Sequence, residues 1–276
     1  GAPAGRGGMR GDRVEGMAGE GAGALGTERG RASSPREHAA KHPALLMVDS
    51  ISGLGAIEYD HDGWGVDVTV CCSQKGLMLP PGLGFNAISD KALAASKSNS
   101  SIRSYWDWHE VLNANKSGSW SYTPATNLLY GLKEAVAMLL EEGLDNVFAR
   151  HKRYSAATRA AVEAWGLENL CQDPREYSPI LTAVVMPDGH DADQFRKVTL
   201  ENFDMSLGSG LGKIKGKVFR IGHIGHFNDL MLMGTLSGVE MALTVAKVPH
   251  NKGGVLAAMD VLTGRASAAP AKAAVA

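Results

Sequence analysis

The chain has 276 residues, 44% of them hydrophobic, enough apolar material for one large domain or two modest ones. A formal net charge of −1 and an isoelectric point near 6.8 give no basic excess of the kind that nucleic acid or an anionic membrane surface requires. No apolar run approaches membrane-span length, the N-terminus lacks a secretory signal's apolar core, and three cysteines make no disulfide framework, so a cytoplasmic, reduced protein is expected.

Residues 1–38 contain no Phe, Tyr, Trp, Ile or Lys, and their glycines follow no period. Such a segment buries too little apolar surface to offset its ordering entropy, and reads as disordered or unrelated to the rest. Asp12, Glu15, Glu20 and Glu28 dilute its arginines, which argues against a nucleic-acid tail. The character changes at residue 39. "LLMV" (45–48) is a continuous apolar run ending at Asp49, the pattern of a strand buried on both faces in a parallel sheet. "GVDVTVCCS" (65–73) and "GLGFNAIS" (82–89) are further strand-like runs. "YTPATNLLYGLKEAVAMLLEEG" (122–143) predicts a helix with apolar residues at helical spacing, capped by Thr126 or Asn127 and ended by Gly143. A second helix is expected over 144–165, ended by Gly166. The texture then becomes α+β: a strand within 179–187, a helix over 191–202, a strand ending near Arg220, and a long helix over 227–248. The expected fold class is α/β, with part of a mainly parallel large-domain sheet over 39–143. A smaller α+β domain is expected over 144–264, and an Ala-rich flexible tail over 265–276.

Several residue groups invite a site and lack its pattern. Adjacent strand residues Cys71 and Cys72 face opposite ways, with no C-x-x-C and no nearby histidine pair, so packing is expected and no metal. "GSGLGKIKGK" (208–217) misses the phosphate-loop spacing and reads as a mobile glycine-rich loop. His223 and His226 have no acidic ligand in register and read as loop residues. Met231 and Met233 read as helix core or surface rather than a partner groove.

Two of the apolar runs end in ionisable groups, Asp49 and Lys75. Ligands of open α/β sheets bind beyond the carboxyl ends of strands, so this acid and amine are candidates for one site. Pyridoxal phosphate chemistry asks for such a pair: an amine to form an imine with the aldehyde, and a carboxylate to keep the ring nitrogen protonated. A structural Asp–Lys ion pair in a turn is an equal reading on these two residues alone.

The segment "LLMVDSISGLGAIEYDHDGWGVDVTVCCSQKGLMLPPGLGF" (45–85) closely resembles the class V group of the fold-type I aminotransferases. Its "VD-x-x-x-S/G-x-G" and "S-Q-K-x-L-x-x-P-P-G" segments match at 48–55 and 73–82, and the likeness extends over roughly residues 39–263. Within the group the chain is most similar to serine–glyoxylate aminotransferases, with alanine–glyoxylate aminotransferases next. The resemblance implies pyridoxal 5′-phosphate as cofactor, Lys75 as the Schiff-base lysine and proton carrier, and Asp49 at the ring nitrogen. It implies Ile51 against the ring face and Gln74 near the ring oxygen or phosphate. "SYTPATNLLYGL" (121–132) matches a segment that reaches into the neighbouring subunit's site, which puts Thr123 and Tyr122 near the other protomer's cofactor phosphate in a homodimer. "KVFRIGHIG" (217–225) matches the segment of the substrate-carboxylate arginine, which falls on Arg220. A guanidinium fork suits a bidentate carboxylate.

The implied reaction moves an amino group from L-serine, or L-alanine, to glyoxylate, giving glycine and hydroxypyruvate, or pyruvate. Family members carry a long portion ahead of the aspartate strand, with a glycine-rich phosphate turn that residues 1–38 do not match. The expectation is therefore a chain lacking the family's N-terminal portion. A truncated, catalytically impaired remnant is the alternative. A cysteine desulfurase is disfavoured because Cys171 follows a helix rather than lying in the glycine-rich loop.

Overall fold

The computed structural model describes residues 42–265, so the expectations for 1–38 and for the tail beyond 265 lie outside the described residues. The first sheet has three strands in the order β1 (Met47–Asp49), β2 (Val68–Cys72), β3 (Gly84–Ile88). β1 runs parallel to β2, and β3 antiparallel to it, so the pairing here is mixed. The short connection 73–83 explains the reversal, because a parallel return needs a crossover of a dozen residues or more. β2 is buried on both faces, as its apolar run predicts. β1 is not: Met47 is 64% exposed, because this strand is the sheet's edge among the described residues. Buried Asp67 joins three elements: its carboxylate accepts from Leu46 N–H at 2.9 Å, Ser89 Oγ at 2.7 Å and Lys91 Nζ at 3.3 Å. Ser89 also caps α1 (Asp90–Ser98), and Asp107 caps α2 (Trp108–Lys116).

Helix α3 (Thr126–Glu142) ends at Gly143 as expected, in a φ of 82° that suits glycine. Its N-cap differs from expectation. Ala125 occupies the position, without a side-chain bond, and Thr126 Oγ1 instead donates to the Pro124 carbonyl. Of its apolar residues only Ala135 and Leu139 are buried, while Tyr130 and Leu140 face outward.

Helix α4 (Leu144–Ala164) follows and packs on the second sheet. That sheet has the order β4 (Glu168–Asn169), β5 (Leu181–Val185), β7 (Val218–Gly222), β6 (Gly208–Ser209), with every pairing antiparallel. α5 (Ala192–Phe203) is capped by Asp191, α6 (Asp229–Val245) by Asn228, and α7 (Gly254–Leu262) closes the unit. Trp165, Tyr154, Phe195, Phe219, Ile221, Leu236 and Leu243 form one core between helices and sheet. The glycine-rich stretch 208–217 is not a plain loop: it supplies β6, a short 3-10 turn, and a Gly210 N–H to Val218 carbonyl bond. Among the described residues no helix is long and apolar enough to cross a membrane.

Candidate active site

Lys75 sits at the tip of the connection between β2 and β3, and its neighbours in sequence hold that tip. Ser73 is fully buried; its hydroxyl donates to the Pro80 carbonyl at 2.8 Å and accepts from Leu83 N–H at 3.2 Å. Its backbone bonds Leu79 and Leu83, so one residue ties both arms of the loop. Gly76 lies against the loop that follows β1: a Cβ there would stand 2.1 Å from the Leu54 carbonyl oxygen. Gly55, at φ +77°, meets the same contact from the other side. The glycines of "SISGLG" and "SQKG" are thus one feature, the interlock of two loops that carry Asp49 and Lys75.

Lys75 is half-buried, and among the described residues its amine forms neither a hydrogen bond nor an ion pair. Asp49 is exposed and uses Oδ1 to accept from Ile51 N–H at 2.9 Å. No ion pair joins the two, so the structural-pair reading fails. The neighbouring thiols are packing: Cys71 Sγ donates to the Cys72 carbonyl and Cys72 Sγ to the Ile51 carbonyl, and burial pushes the Cys71 thiol up from its ordinary range.

Lys75 opens into a cavity of about 540 Å³. Its wall carries Arg220, from β7, together with Ser52 and Lys75. Gly208 pairs with Arg220 in β6, and a Cβ at that glycine would stand 3.2 Å from Arg220 Nε, so glycine leaves room for the guanidinium stem. Arg220 Nε is buried with no acceptor among the described residues, and no carboxylate pairs with it there. A buried charged donor without a partner costs free energy, and a bound carboxylate would supply that partner. A second guanidinium that sequence reasoning missed, Arg159, lines the same wall 4.2 Å over the Tyr177 ring and bonds Ser155 Oγ and the Ser178 carbonyl. Nothing in the pattern of α4 distinguishes it from a surface arginine. Cys171 also lines the cavity, its thiol directed to the Asp173 carbonyl.

His223 lies in the turn after β7, as expected, but it is not a surface loop residue. It is fully buried behind Thr182, which lines the cavity, and its Nε2 lies 3.0 Å from Thr182 Oγ1. Burial first, then the charge of Arg159, lowers its pKa from 6.5 to about 3. Below about pH 6.5 the unfolded chain binds a proton that the folded chain refuses, so stability falls as pH drops from there toward 3. The slope contributed is up to about 1.4 kcal/mol per pH unit. Denaturant midpoints compared between about pH 7 and pH 5 are expected to show His223→Asn with a flatter acid dependence than the parent; equal slopes would contradict it.

A family model described as Aminotransferase class-V matches residues 25–223. The chain belongs to the class-V aminotransferase family. It is 47% identical over 224 residues to a serine–glyoxylate aminotransferase of Arabidopsis thaliana, covering 80% of this chain and 56% of that protein. It is 42% identical over 237 residues to an L-aspartate–glyoxylate aminotransferase of Paracoccus denitrificans, covering 86% and 60%. The crystal structure of a ureidoglycine–glyoxylate aminotransferase from Bacillus subtilis superposes with a TM-score of 0.77 at 29% identity, over 82% of this chain and 60% of that one. The chain thus spans little more than half the length of these relatives. Pyridoxal phosphate is the cofactor that membership implies. Of the residues singled out in the sequence for this family, Lys75 and Arg220 meet in the cavity. Asp49, at the end of β1, and Ile51 and Gln74, in the loops that follow β1 and β2, are not part of its lining. Tyr122 and Thr123 are exposed on a separate segment, where the Tyr122 ring lies 4.8 Å from that of Tyr105.

Proposed function

We propose that this chain forms the substrate-binding and lysine-bearing part of a pyridoxal-phosphate transaminase acting on small amino acids and glyoxylate. The observation that carries the reading is the pair of unsatisfied cations in one cavity: a free amine on Lys75 and an orphaned guanidinium nitrogen on Arg220. The residues present fit the cofactor: an amine without a competing partner, a carboxylate one loop away at Asp49, and two loops close enough to keep them in register. When bound, pyridoxal phosphate supplies an electron sink for the carbanion at the substrate α-carbon. Lys75 would hold and move a proton at its amine, Asp49 would keep the ring nitrogen protonated, and Arg220 would grip the substrate α-carboxylate. Ile51 would pack on the ring, and Gln74 would bond near the ring oxygen or phosphate.

L-serine is the proposed donor, leaving as hydroxypyruvate while glyoxylate leaves as glycine; the 47% identical relative named for that reaction supports it. The exposed apolar face of α3 and the exposed Tyr122 and Thr123 support a homodimer in which these two residues serve the partner's cofactor phosphate. We place the boundary between the two domains at Gly143, where α3 ends and α4 begins.

The test is purified protein supplied with pyridoxal phosphate, glyoxylate and a panel of L-serine, L-alanine and L-aspartate. Glycine formed fastest from serine is expected. Alanine used with serine inert would replace the donor, and no glycine from any donor, with no protein-bound cofactor absorbance, would overturn the reading. Arg220→Lys is expected to raise KM for serine and glyoxylate roughly 30-fold, about 2 kcal/mol, because an ammonium cannot reproduce the planar fork. Cys171 in the cavity wall is the one feature favouring sulfur abstraction, so L-cysteine belongs in the panel. No sulfide is expected; sulfide release lost in Cys171→Ser would favour a desulfurase.

A further inference from the structure

The turn after β7, 223–227, connects the strand of Arg220 to α6 and carries Ile224, which lines the cavity. It is also where the second unit touches Lys75. Gly225, at φ +88°, comes so near that a Cβ would stand 3.4 Å from the Lys75 carbonyl oxygen and 3.8 Å from Met78 Cγ. The spacing between the Lys75 loop and the Arg220 strand therefore passes through this turn.

Three side chains of α4 hold the turn. His151, fully buried, accepts the Gly225 N–H at Nε2 over 3.2 Å, while its Nδ1 lies 2.7 Å from the Val147 carbonyl. Because Nε2 accepts, Nδ1 carries the proton and the ring is neutral. Arg150 donates to the Gly225 carbonyl at 3.1 Å and the Phe227 carbonyl at 3.3 Å, and is itself fixed by a two-point pairing to Glu142 at 2.6 and 2.9 Å. Tyr154 donates to the Phe227 carbonyl at 3.1 Å. The amide of Gly225 is thus gripped from both sides, N–H by an imidazole and C=O by a guanidinium.

We propose that His151 is a positioning residue of the transamination proposed above: it fixes Gly225 and so sets the distance between the Lys75 amine and the Arg220 guanidinium. It touches neither substrate nor cofactor. Its hydrogen bond to Gly225 exists only while the ring is neutral. The charged and titratable groups around it are Arg150 on its own helix, Glu142 at the end of α3, and His223 and His226 in the turn itself. Burial first, and then the Arg150 charge, hold the His151 pKa below its ordinary 6.5, against the pull of the Val147 carbonyl. Protonation in acid removes the acceptor, releases the Gly225 N–H and lets the turn drift from Lys75. Misplacement of reacting groups by about 1 Å costs on the order of 100-fold in rate.

Two variants separate positioning from mere packing. His151→Leu fills the space and cannot accept; His151→Gln can accept and does not titrate. For the full chain loaded with pyridoxal phosphate, His151→Leu is expected to lose roughly 10- to 100-fold in kcat, with cofactor affinity changed less than about twofold. His151→Gln is expected to keep most of kcat at neutral pH and to lose the component of the acid limb that His151 contributes. Equal losses in the two variants, or unchanged kcat in His151→Leu, would overturn the proposal. Hydrogen exchange of the Gly225 amide, followed without cofactor or substrate, gives an answer independent of the proposed reaction. Protection near neutral pH that fades in acid in the parent, persists in acid in His151→Gln and is absent in His151→Leu supports the clamp. Protection equal in all three would sink it whether or not the protein transaminates, whereas a protected amide in a protein with no activity would fault the functional reading alone.

Discussion

Replacing Lys75 with alanine is expected to lower kcat for serine–glyoxylate transamination by about 10⁴-fold or more. One substitution removes both the amine that links to the cofactor and the base that moves the substrate proton. The structure makes this lysine difficult to replace from nearby. Its amine is free of hydrogen bonds and ion pairs among the described residues, and it is the one lysine in the cavity lining. Arg159 and Arg220 share the wall, but a guanidinium does not give up its proton near neutral pH and cannot stand in as a nucleophile. Lys75→Arg is the sharper variant for that reason. It preserves positive charge at the loop tip, so if Lys75 served only as an anion anchor, the arginine form would retain substantial turnover. It is expected to be as inactive as the alanine form. Stopped-time assays of glycine formation, with the absorbance of protein-bound pyridoxal phosphate measured in parallel, check both. Turnover within about tenfold of the parent in either variant would remove Lys75 from the chemistry.

The part of this site that the sequence displays is the part in which chemistry is bound to local backbone geometry. Lys75 stands in a segment whose serine, glycines and prolines all serve the loop: Ser73 ties its arms, Gly76 fits against Leu54, and Gly82, at φ +144°, packs where a Cβ would strike Leu128 at 2.6 Å. Arg220 was legible as an arginine in a strand just ahead of a glycine-rich turn, although β7 runs past it to Gly222 rather than ending near it. The expected starts of the helices over 191–202 and 227–248 fell close to the observed ones, where Asp191 and Asn228 do the capping. At α3 the expected cap fails, because Thr126 spends its hydroxyl on Pro124 and leaves the cap position to Ala125. Hydropathy misjudged Met47 because an apolar run specifies what a strand prefers to bury, not whether a neighbour is there to bury it. Arg159 was missed, and the burial of His223 was not foreseen, for a related reason. Their roles come from residues far away in sequence, Thr182 beside one and Tyr177 beneath the other, and no local pattern announces such a meeting.

Gly76→Ala is expected to be the most damaging change that leaves every ionisable group in place. The added methyl would sit 2.1 Å from the Leu54 carbonyl oxygen, 2.9 Å from the Gly55 carbonyl carbon and 3.1 Å from the Ala56 nitrogen. All three are backbone atoms, so no rotamer change relieves the overlap, and one of the two loops must move. The first loop is poorly able to yield: the Ser50 carbonyl accepts from Gly53 and Leu54, and the Gly53 carbonyl from Ala56 and Ile57. The second is tied at both ends by Ser73. A displacement large enough to restore van der Waals distance exceeds 1 Å on either side, which predicts a loss of about 3–5 kcal/mol in stability. The same displacement moves Lys75, the preceding residue in the chain, relative to Asp49 and the cavity wall. Folded protein that survives the substitution is therefore expected to bind pyridoxal phosphate weakly, even though Lys75, Asp49 and Arg220 are all present. Calorimetric melting of the variant tests the first consequence and cofactor titration of the remaining folded fraction the second. Parent-like melting together with parent-like cofactor affinity would mean that the interlock of the two loops does not set the geometry of the site.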